Sequence, residues 1–227
     1  NPENTEDLYY ANFNRLFRTT AASTVSSSGW TELTGVSEAI SPANGTNIAI
    51  RAIAFSRGPY IAAHSIYIGT TNARIFRLDD PRNAAAGNAP VNISIPGLAA
   101  AANIQDIAVN PNNDNEIMAV VSNYGAVGIW WTDNAKAVTP TWRNAEGNLT
   151  LPSIRSCVIV VKKDGANNPV TEYYVGTSVG LFSAENIGTT LTGGGSVTWL
   201  REGGTVLNLA IIQSMAYRPA DNVLVAG

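Results

Sequence analysis

Cleavage of a glycosidic bond needs two carboxyl groups held at a set separation. Five acids in this chain stand where such a pair could be sought: Asp79, Asp80, Asp106, Asp133 and Glu185. Asp79-Asp80-Pro81 reads first as a turn, and Asp133 and Glu185 lie in polar turns as well. Asp106 shares its place in a repeat with Ala52, Ser156 and Ser214, where smallness near a crowded axis explains the slot. One position earlier in that repeat stand Arg51, Gln105, Arg155 and Gln213. At equivalent heights near an axis they would form a polar arc able to hold carboxylates or sugar hydroxyls. A solvated rim is the plainer reading of the same four residues. Cys157 aligns with Ile53, Ile107 and Met215, so it reads as a small buried hydrophobe rather than a nucleophile. One cysteine and one histidine, His64, leave no disulfide framework and no multi-histidine or cysteine zinc site. No catalytic residue, metal or cofactor is assigned.

The elements that must position these residues announce themselves as a repeat. A six-residue pattern of Ile, polar, small, apolar, small, apolar occurs at Ile50–Phe55, Ile104–Val109, Ile154–Ile159 and Ile212–Tyr217. The copies are 54, 50 and 58 residues apart. Short strands at that period point to a β-propeller. Each copy continues in one order. After Ile104–Val109 comes a turn of Asn and Pro, a strand at Ile117–Val121, a Gly-containing turn, a strand at Ala126–Trp131, and a fourth strand around Thr141–Arg143. The next copy repeats this at Tyr173–Gly176, Gly180–Ser183 and Val197–Leu200, and the one before it at Ile66–Gly69, Ala73–Leu78 and Val91–Ile95. Four short strands per unit make a propeller blade. Helical periodicity is weak throughout, and the Ala-rich pieces Ala84–Ala86 and Ala99–Ala102 fit loops.

The expected fold is therefore all-β: a propeller of four-stranded antiparallel blades, present as a partial arc. Complete blades are expected at about 48–96, 102–145 and 152–201. A partial blade at 1–33 would lack its first strand, and one at 210–227 would hold a first and a second strand. The expectation is one propeller region, a piece of a longer propeller, with the remainder of that propeller or neighbouring domains as partners.

Composition narrows the partners. Charged residues are 14% of the chain, the net charge is −3, and there are only three lysines, Lys136, Lys162 and Lys163. With no basic stripe to neutralise phosphates, nucleic acid is not an expected partner. No apolar run approaches the roughly 18 residues of a membrane-crossing helix, so no membrane insertion is expected. No leader-type segment opens the chain, and a removed one would leave no trace. Asn44-Gly45-Thr46, Asn92-Ile93-Ser94 and Asn148-Leu149-Thr150 have the form of glycosylation acceptors. Trp130 and Trp131 could stack on sugar rings, but strand alternation sends them to opposite faces, where neighbouring blades would bury both.

The turns between third and fourth strands carry a family resemblance. Trp131-Thr132-Asp133-Asn134-Ala135-Lys136 followed by Thr141-Trp142 resembles the Asp-box of the sialidase-like (BNR) propellers, which runs Ser/Thr-x-Asp-x-Gly-x-Thr-Trp. Here Ala135 replaces the Gly, and extra residues precede Trp142. Ser183-Ala184-Glu185-Asn186 with Thr198-Trp199, and Thr19-Thr20 with Gly29-Trp30, are looser forms. Tyr174–Ser183 is similar to the second-to-third-strand signature of the same group. The resemblance implies a secreted propeller of the sialidase-like, sortilin-like and xyloglucanase-like kind, which includes bacterial surface proteins exported by the type IX route. It also implies structural roles for Thr132, Asp133, Ser183 and Glu185 in the turns, and for Trp30, Trp142 and Trp199 against the adjoining blade. The Arg-Ile-Pro mark of sialidases is absent; Arg74-Ile75-Phe76 departs from it at its last residue.

Together these readings describe a non-catalytic, extracellular or cell-surface propeller. It would bind or space protein or glycan with loops at one face. A glycoside hydrolase with its acid pair partly outside this chain is the alternative.

Overall fold

The computed structural model describes residues 1, 3–41, 47–58, 60–204, 207 and 209–227. The expected acceptor triplet at Asn44 falls outside them. Among the described residues, five antiparallel sheets follow one another along the chain. The first holds β1 (Leu8–Asn12), β2 (Arg15–Thr19) and β3 (Thr31–Glu32). Three complete four-stranded sheets come next. They are β4 (Ile50–Phe55), β5 (Ser65–Thr70), β6 (Ile75–Asp79) and β7 (Val91–Asn92); then β8 (Ile104–Asn110), β9 (Asn113–Val121), β10 (Ile129–Thr132) and β11 (Arg143–Asn144); then β12 (Ile154–Lys163), β13 (Pro169–Thr177), β14 (Gly180–Glu185) and β15 (Leu200–Arg201). The fifth is the hairpin β16 (Met215–Arg218) and β17 (Val223–Ala226). In every complete sheet the strands pair in chain order.

The repeated hexad contains a puzzle that the backbone resolves. Its apolar residues stand at positions one, four and six, yet simple alternation puts one and four on opposite faces. A β-bulge removes the conflict. The register shifts between Ile50 and Ala52, between Ile104 and Asp106, and between Ile154 and Ser156. Two residues of the first strand there oppose one of its partner, so position four returns to the face of position one. In the fifth sheet the amides of Gln213 and Ser214 both donate to the Gly227 carbonyl, at 2.7 and 2.9 Å, which is the same device.

The realigned face packs against the preceding sheet. Ile50, Ile53 and Phe55 join the cluster between the first and second sheets, with Leu16, Ile66, Ile68 and Phe76. Ile104 and Ile107 join the next cluster with Ala52, Tyr67 and Ile75, and Ile154, Cys157 and Ile159 the third with Met118, Val120 and Trp131. In three of the four hexads the first isoleucine enters a recess that only a missing side chain leaves open. A Cβ on Gly69 would lie 2.5 Å from Ile104 Cγ2, one on Gly128 2.8 Å from Ile154 Cγ1, and one on Gly176 2.7 Å from Ile212 Cγ2.

Two short helices among the described residues were not expected. Helix α1 (Thr34–Ile40) leads from the first sheet to the second and buries Val36 and Ile40. Helix α2 (Ile187–Thr192) replaces the turn after β14 and buries Ile187 and Leu191 against the third cluster. Each shows a single i, i+4 apolar pair, too brief for a periodic signal. The fourth strands are also shorter than expected. Each pairs through two residues, because Trp30, Trp142 and Trp199 stand just ahead of the ladder rather than within it.

If the isoleucine interlock holds the sheets together, Ile104→Ala will lower the unfolding free energy by about 2–5 kcal/mol, seen as a lower urea midpoint. Arg51→Ala, on the exposed bulge, should stay within about 0.5 kcal/mol of the parent.

Candidate functional site: the axial groove

Successive first strands lie against one another, β4 on β8, β8 on β12 and β12 on β16, which brings four strands to one axis. Along that axis runs a groove of about 330 Å³. Its walls are the later hexad positions, among them Ile53, Phe55, Ile107, Val109 and Ile159, with Tyr217 and Ala216 of β16 closing one side. Two charged side chains reach it, Asp106 and Arg57.

Asp106 is held from both sides of a sheet boundary. Its Oδ1 accepts the amide of Ile107 at 2.9 Å, and its Oδ2 accepts the amide of Cys157, in the neighbouring sheet, at 2.9 Å. Burial raises its pKa from the usual carboxylate range to about 6, and the two backbone hydrogen bonds only partly oppose that rise. Cys157 is buried beside it, with Sγ 3.7 Å from the Met118 carbonyl. Burial pushes the thiol pKa well up, so the group is no nucleophile. Arg57 reaches across the sheets to the Tyr217 carbonyl at 3.3 Å.

The four residues of the expected polar arc do occupy equivalent places, on the bulges at the start of the first strands. None of them lines the groove. Arg51 and Gln213 are exposed, Gln105 and Arg155 partly so, and Arg155 Nε is buried without a partner among the described residues. The arc is therefore no part of the groove's lining.

The turn residues divide. Thr132 Oγ1 and Asn134 Oδ1 lie 2.7 Å apart, and Asn134 Oδ1 accepts the Thr141 amide at 2.8 Å. The turn-holding role the resemblance implied for Asp133 is thus carried by Asn134. Asp133 is exposed, with Oδ1 3.9 Å from Arg143. Ser183 Oγ donates to Glu202 at 2.5 Å, and Glu185 ends β14 in solvent, ahead of α2. Two of the tryptophans bond to the preceding sheet. Trp142 Nε1 donates to the Ile93 carbonyl at 2.8 Å and Trp199 Nε1 to the Ala145 carbonyl at 2.9 Å, each fastening the fourth strand of the preceding sheet. Trp30, the equivalent residue of the first sheet, faces a shallow pocket with Tyr10 and Phe17. Trp131 is buried in one cluster and Trp130 packs against another, so neither ring offers a sugar platform. His64 is buried in the loop before β5, 5.2 Å from the Tyr60 ring. The amide of Asn148 is engaged on both sides by the Trp199 backbone.

No protein-family model matches the chain, and no curated protein matches it. Solved structures do. A chain of the COPII outer coat vertex on membranes superposes with a TM-score of 0.63 at 12% identity, covering 99% of this chain and 53% of that one. A chain of the COPII coat assembled on membranes gives the same score and identity, covering 99% of this chain and 30% of that one. The likeness is one of fold. This chain spans about half the length of the first relative and less than a third of the second. The all-β architecture of stacked antiparallel four-stranded sheets is accordingly of the β-propeller type.

Three further residues carry weight that the sequence did not reveal. Buried Glu116 accepts Trp131 Nε1 at 2.9 Å, Asn110 Nδ2 at 2.7 Å and the hydroxyl of Tyr173 from the next sheet. Arg18 and Arg77 hold the same place on successive third strands. Arg18 donates to the carbonyls of Pro81 and Ala84 at 2.7 and 2.9 Å, and Arg77 to those of Ala135 and Ala137 at 2.7 and 3.1 Å. An Arg facing a turn one repeat later is a pairing that only the superposed blades expose.

Asp106 makes a pH signature. A carboxyl with a raised folded pKa favours the native state below its unfolded value, near 4, and loses that contribution as pH climbs through about 6. Thermal melts should therefore show the parent losing stability relative to Asp106→Asn between pH 4 and pH 7, with a constant difference above that window. Trp142→Phe, which orphans the buried Ile93 carbonyl, should cost about 1–3 kcal/mol in chemical denaturation.

Proposed function

We propose that the chain is a non-catalytic, protein-binding module of the β-propeller type that takes its partner at the axial groove. The groove carries this reading. It is a concave space of about 330 Å³, large enough for one or two side chains of a partner's loop. Its lining combines apolar side chains with about as much polar surface, and it offers one carboxyl and one guanidinium to fix orientation. Four rigid strands shape it, so binding would demand little ordering of this chain. A protein partner is also supported by the fold relatives, which are components of an assembled coat. Hydrolysis of a glycoside asks for a second carboxyl, and Asp106 is the one carboxyl among the described residues that line the groove. A place outside the cell or on its surface belongs to the same proposal. It rests on the low charge and on turns and tryptophans of the sialidase-like pattern.

Ala216 is exposed and borders the groove, so Ala216→Trp would fill the space without touching a cluster. Affinity capture from the native source, with partners identified by mass spectrometry, should yield proteins held by the parent and lost with Ala216→Trp. Partners held equally by both forms would remove the groove from the reading. Turnover of a chromogenic glycoside would overturn the non-catalytic assignment.

A further inference from the structure

The groove makes no use of the four polar residues on the bulges. Arg51, Gln105, Arg155 and Gln213 hold the second place of each hexad, on or just ahead of first strands that lie against one another around the axis. Among the described residues, none of their side chains makes an ion pair or a hydrogen bond. Arg155 is the telling member, because β12 has β8 on one side and β16 on the other. It is half-buried, and its Nε is buried with no partner among the described residues. A buried donor without an acceptor carries a cost that an incoming acceptor would relieve. Two acids near the bulges are already engaged by backbone. Asp106 accepts the amides of Ile107 and Cys157, and Glu146 accepts the Gly128 amide at 2.8 Å.

The surroundings define the rest of the ligand. In a four-stranded meander, the turn from second to third strand and the crossover into the next first strand share one end, the end that carries the bulges. Hydrogen bonds knit these loops together. The Asn103 amide donates to Asn123 Oδ1 at 2.7 Å, Ser153 Oγ to the Ser122 carbonyl at 2.8 Å, and the Ser178 amide to the Ser153 carbonyl at 3.0 Å. Residues 93–103, 122–127 and 147–153 hold no charged side chain, and Tyr124 and Leu151 are 71% and 85% exposed. The loops at the other end carry Asp80, Arg82, Asp133, Lys136 and Asp164. We propose that the uncharged end binds an acidic segment of a partner polypeptide, with a carboxylate on Arg155 and apolar neighbours against the loops. The guanidinium presents a planar fork suited to a carboxylate. Gln105 and Gln213, at the same place beside the two neighbouring strands, add amide donors, and Arg51 stands one strand beyond Gln105. A charge paired within an uncharged rim gives selectivity for an anion.

The probe is a fluorescently labelled hexapeptide of alternating leucine and glutamate, titrated into the full 227-residue chain and followed by anisotropy. Saturable binding is expected. It should weaken about tenfold or more when glutamine replaces glutamate in the peptide, and by as much in Arg155→Gln. The chain itself carries glutamine at this place in two other sheets, so the variant should keep its fold, and an unchanged urea midpoint checks that it does. Lys163→Gln removes an exposed charge from the far end of the same strand, β12, and should leave affinity unchanged. Equal binding of the glutamine peptide, full affinity in Arg155→Gln, an equal loss in Lys163→Gln, or no saturation at all would each overturn the proposal. So would a loss in Ala216→Trp without one in Arg155→Gln, which would put the peptide in the groove. The groove reading stands or falls separately, on the partners that Ala216→Trp releases.

Discussion

Everything in this molecule depends on a side chain that is absent. Gly69, Gly128 and Gly176 leave recesses into which the first isoleucine of the next hexad fits, with heavy atoms closer than any Cβ would allow. That contact sets how near successive sheets can come at the axis. The nearness lets the first strands touch, and their meeting creates the groove. The β-bulge is the second half of the same constraint. Without the extra residue at Arg51, Gln105 or Arg155, the apolar residues at positions one and four would point to opposite sheets and each interface would lose one of them. The hexad is therefore a unit of packing rather than a strand motif alone, and its polar second position is polar because a bulged residue is turned out of the interface.

Farther from the axis, hydrogen bonds take over from interlock. The sheets splay apart as they leave the centre, and long side chains bridge the widening gap. Arg18 and Arg77 reach forward to turn carbonyls of the next sheet, while Trp142 and Trp199 reach back to the outer strand of the previous one. Each donor meets a carbonyl that would otherwise be buried without a partner, which is where a hydrogen bond counts most. Glu116 does the same at mid-radius, joining three groups from two sheets around one carboxylate. The direction alternates with radius, so sliding one sheet against the next would break contacts of both kinds.

The repeat made the order of strands legible. Apolar spacing at a period near 50 residues identifies first strands, and turn residues mark what lies between them. The residues that join one blade to another were not legible in the same way. Arg77 acts on Ala135, 58 positions later, and nothing local to either residue signals the pairing. Asn134 takes the part expected of Asp133 because the Ser/Thr-x-Asp spacing, counted from Thr132, falls on Asn134, whose amide oxygen meets both the Thr132 hydroxyl and the Thr141 amide. The bulge was implicit in the one-four-six spacing, but the spacing can be recognised as a bulge only once the faces are known. Helices α1 and α2 escaped because their stability comes from packing onto the clusters and not from any sequence period.

Asp106 shows how the packing constraint and the groove are connected. Its place in the hexad calls for a small residue, and the other sheets supply Ala52, Ser156 and Ser214 there. A carboxylate in that slot is desolvated, and its raised pKa records the cost. What it gains is two amides from adjacent sheets, both at position four of the hexad, one on each side of the boundary. The bulge just before position four turns those amides away from the ladder, so an acceptor at position three can reach them. A serine there does not have the reach: Ser156 Oγ is buried without a partner among the described residues. The carboxyl therefore joins two sheets and also lines the groove. A purely structural link would be served as well by a residue that carries no charge into a buried place. The charge is the part of Asp106 that packing does not explain, and it is the part on which the proposed groove reading draws.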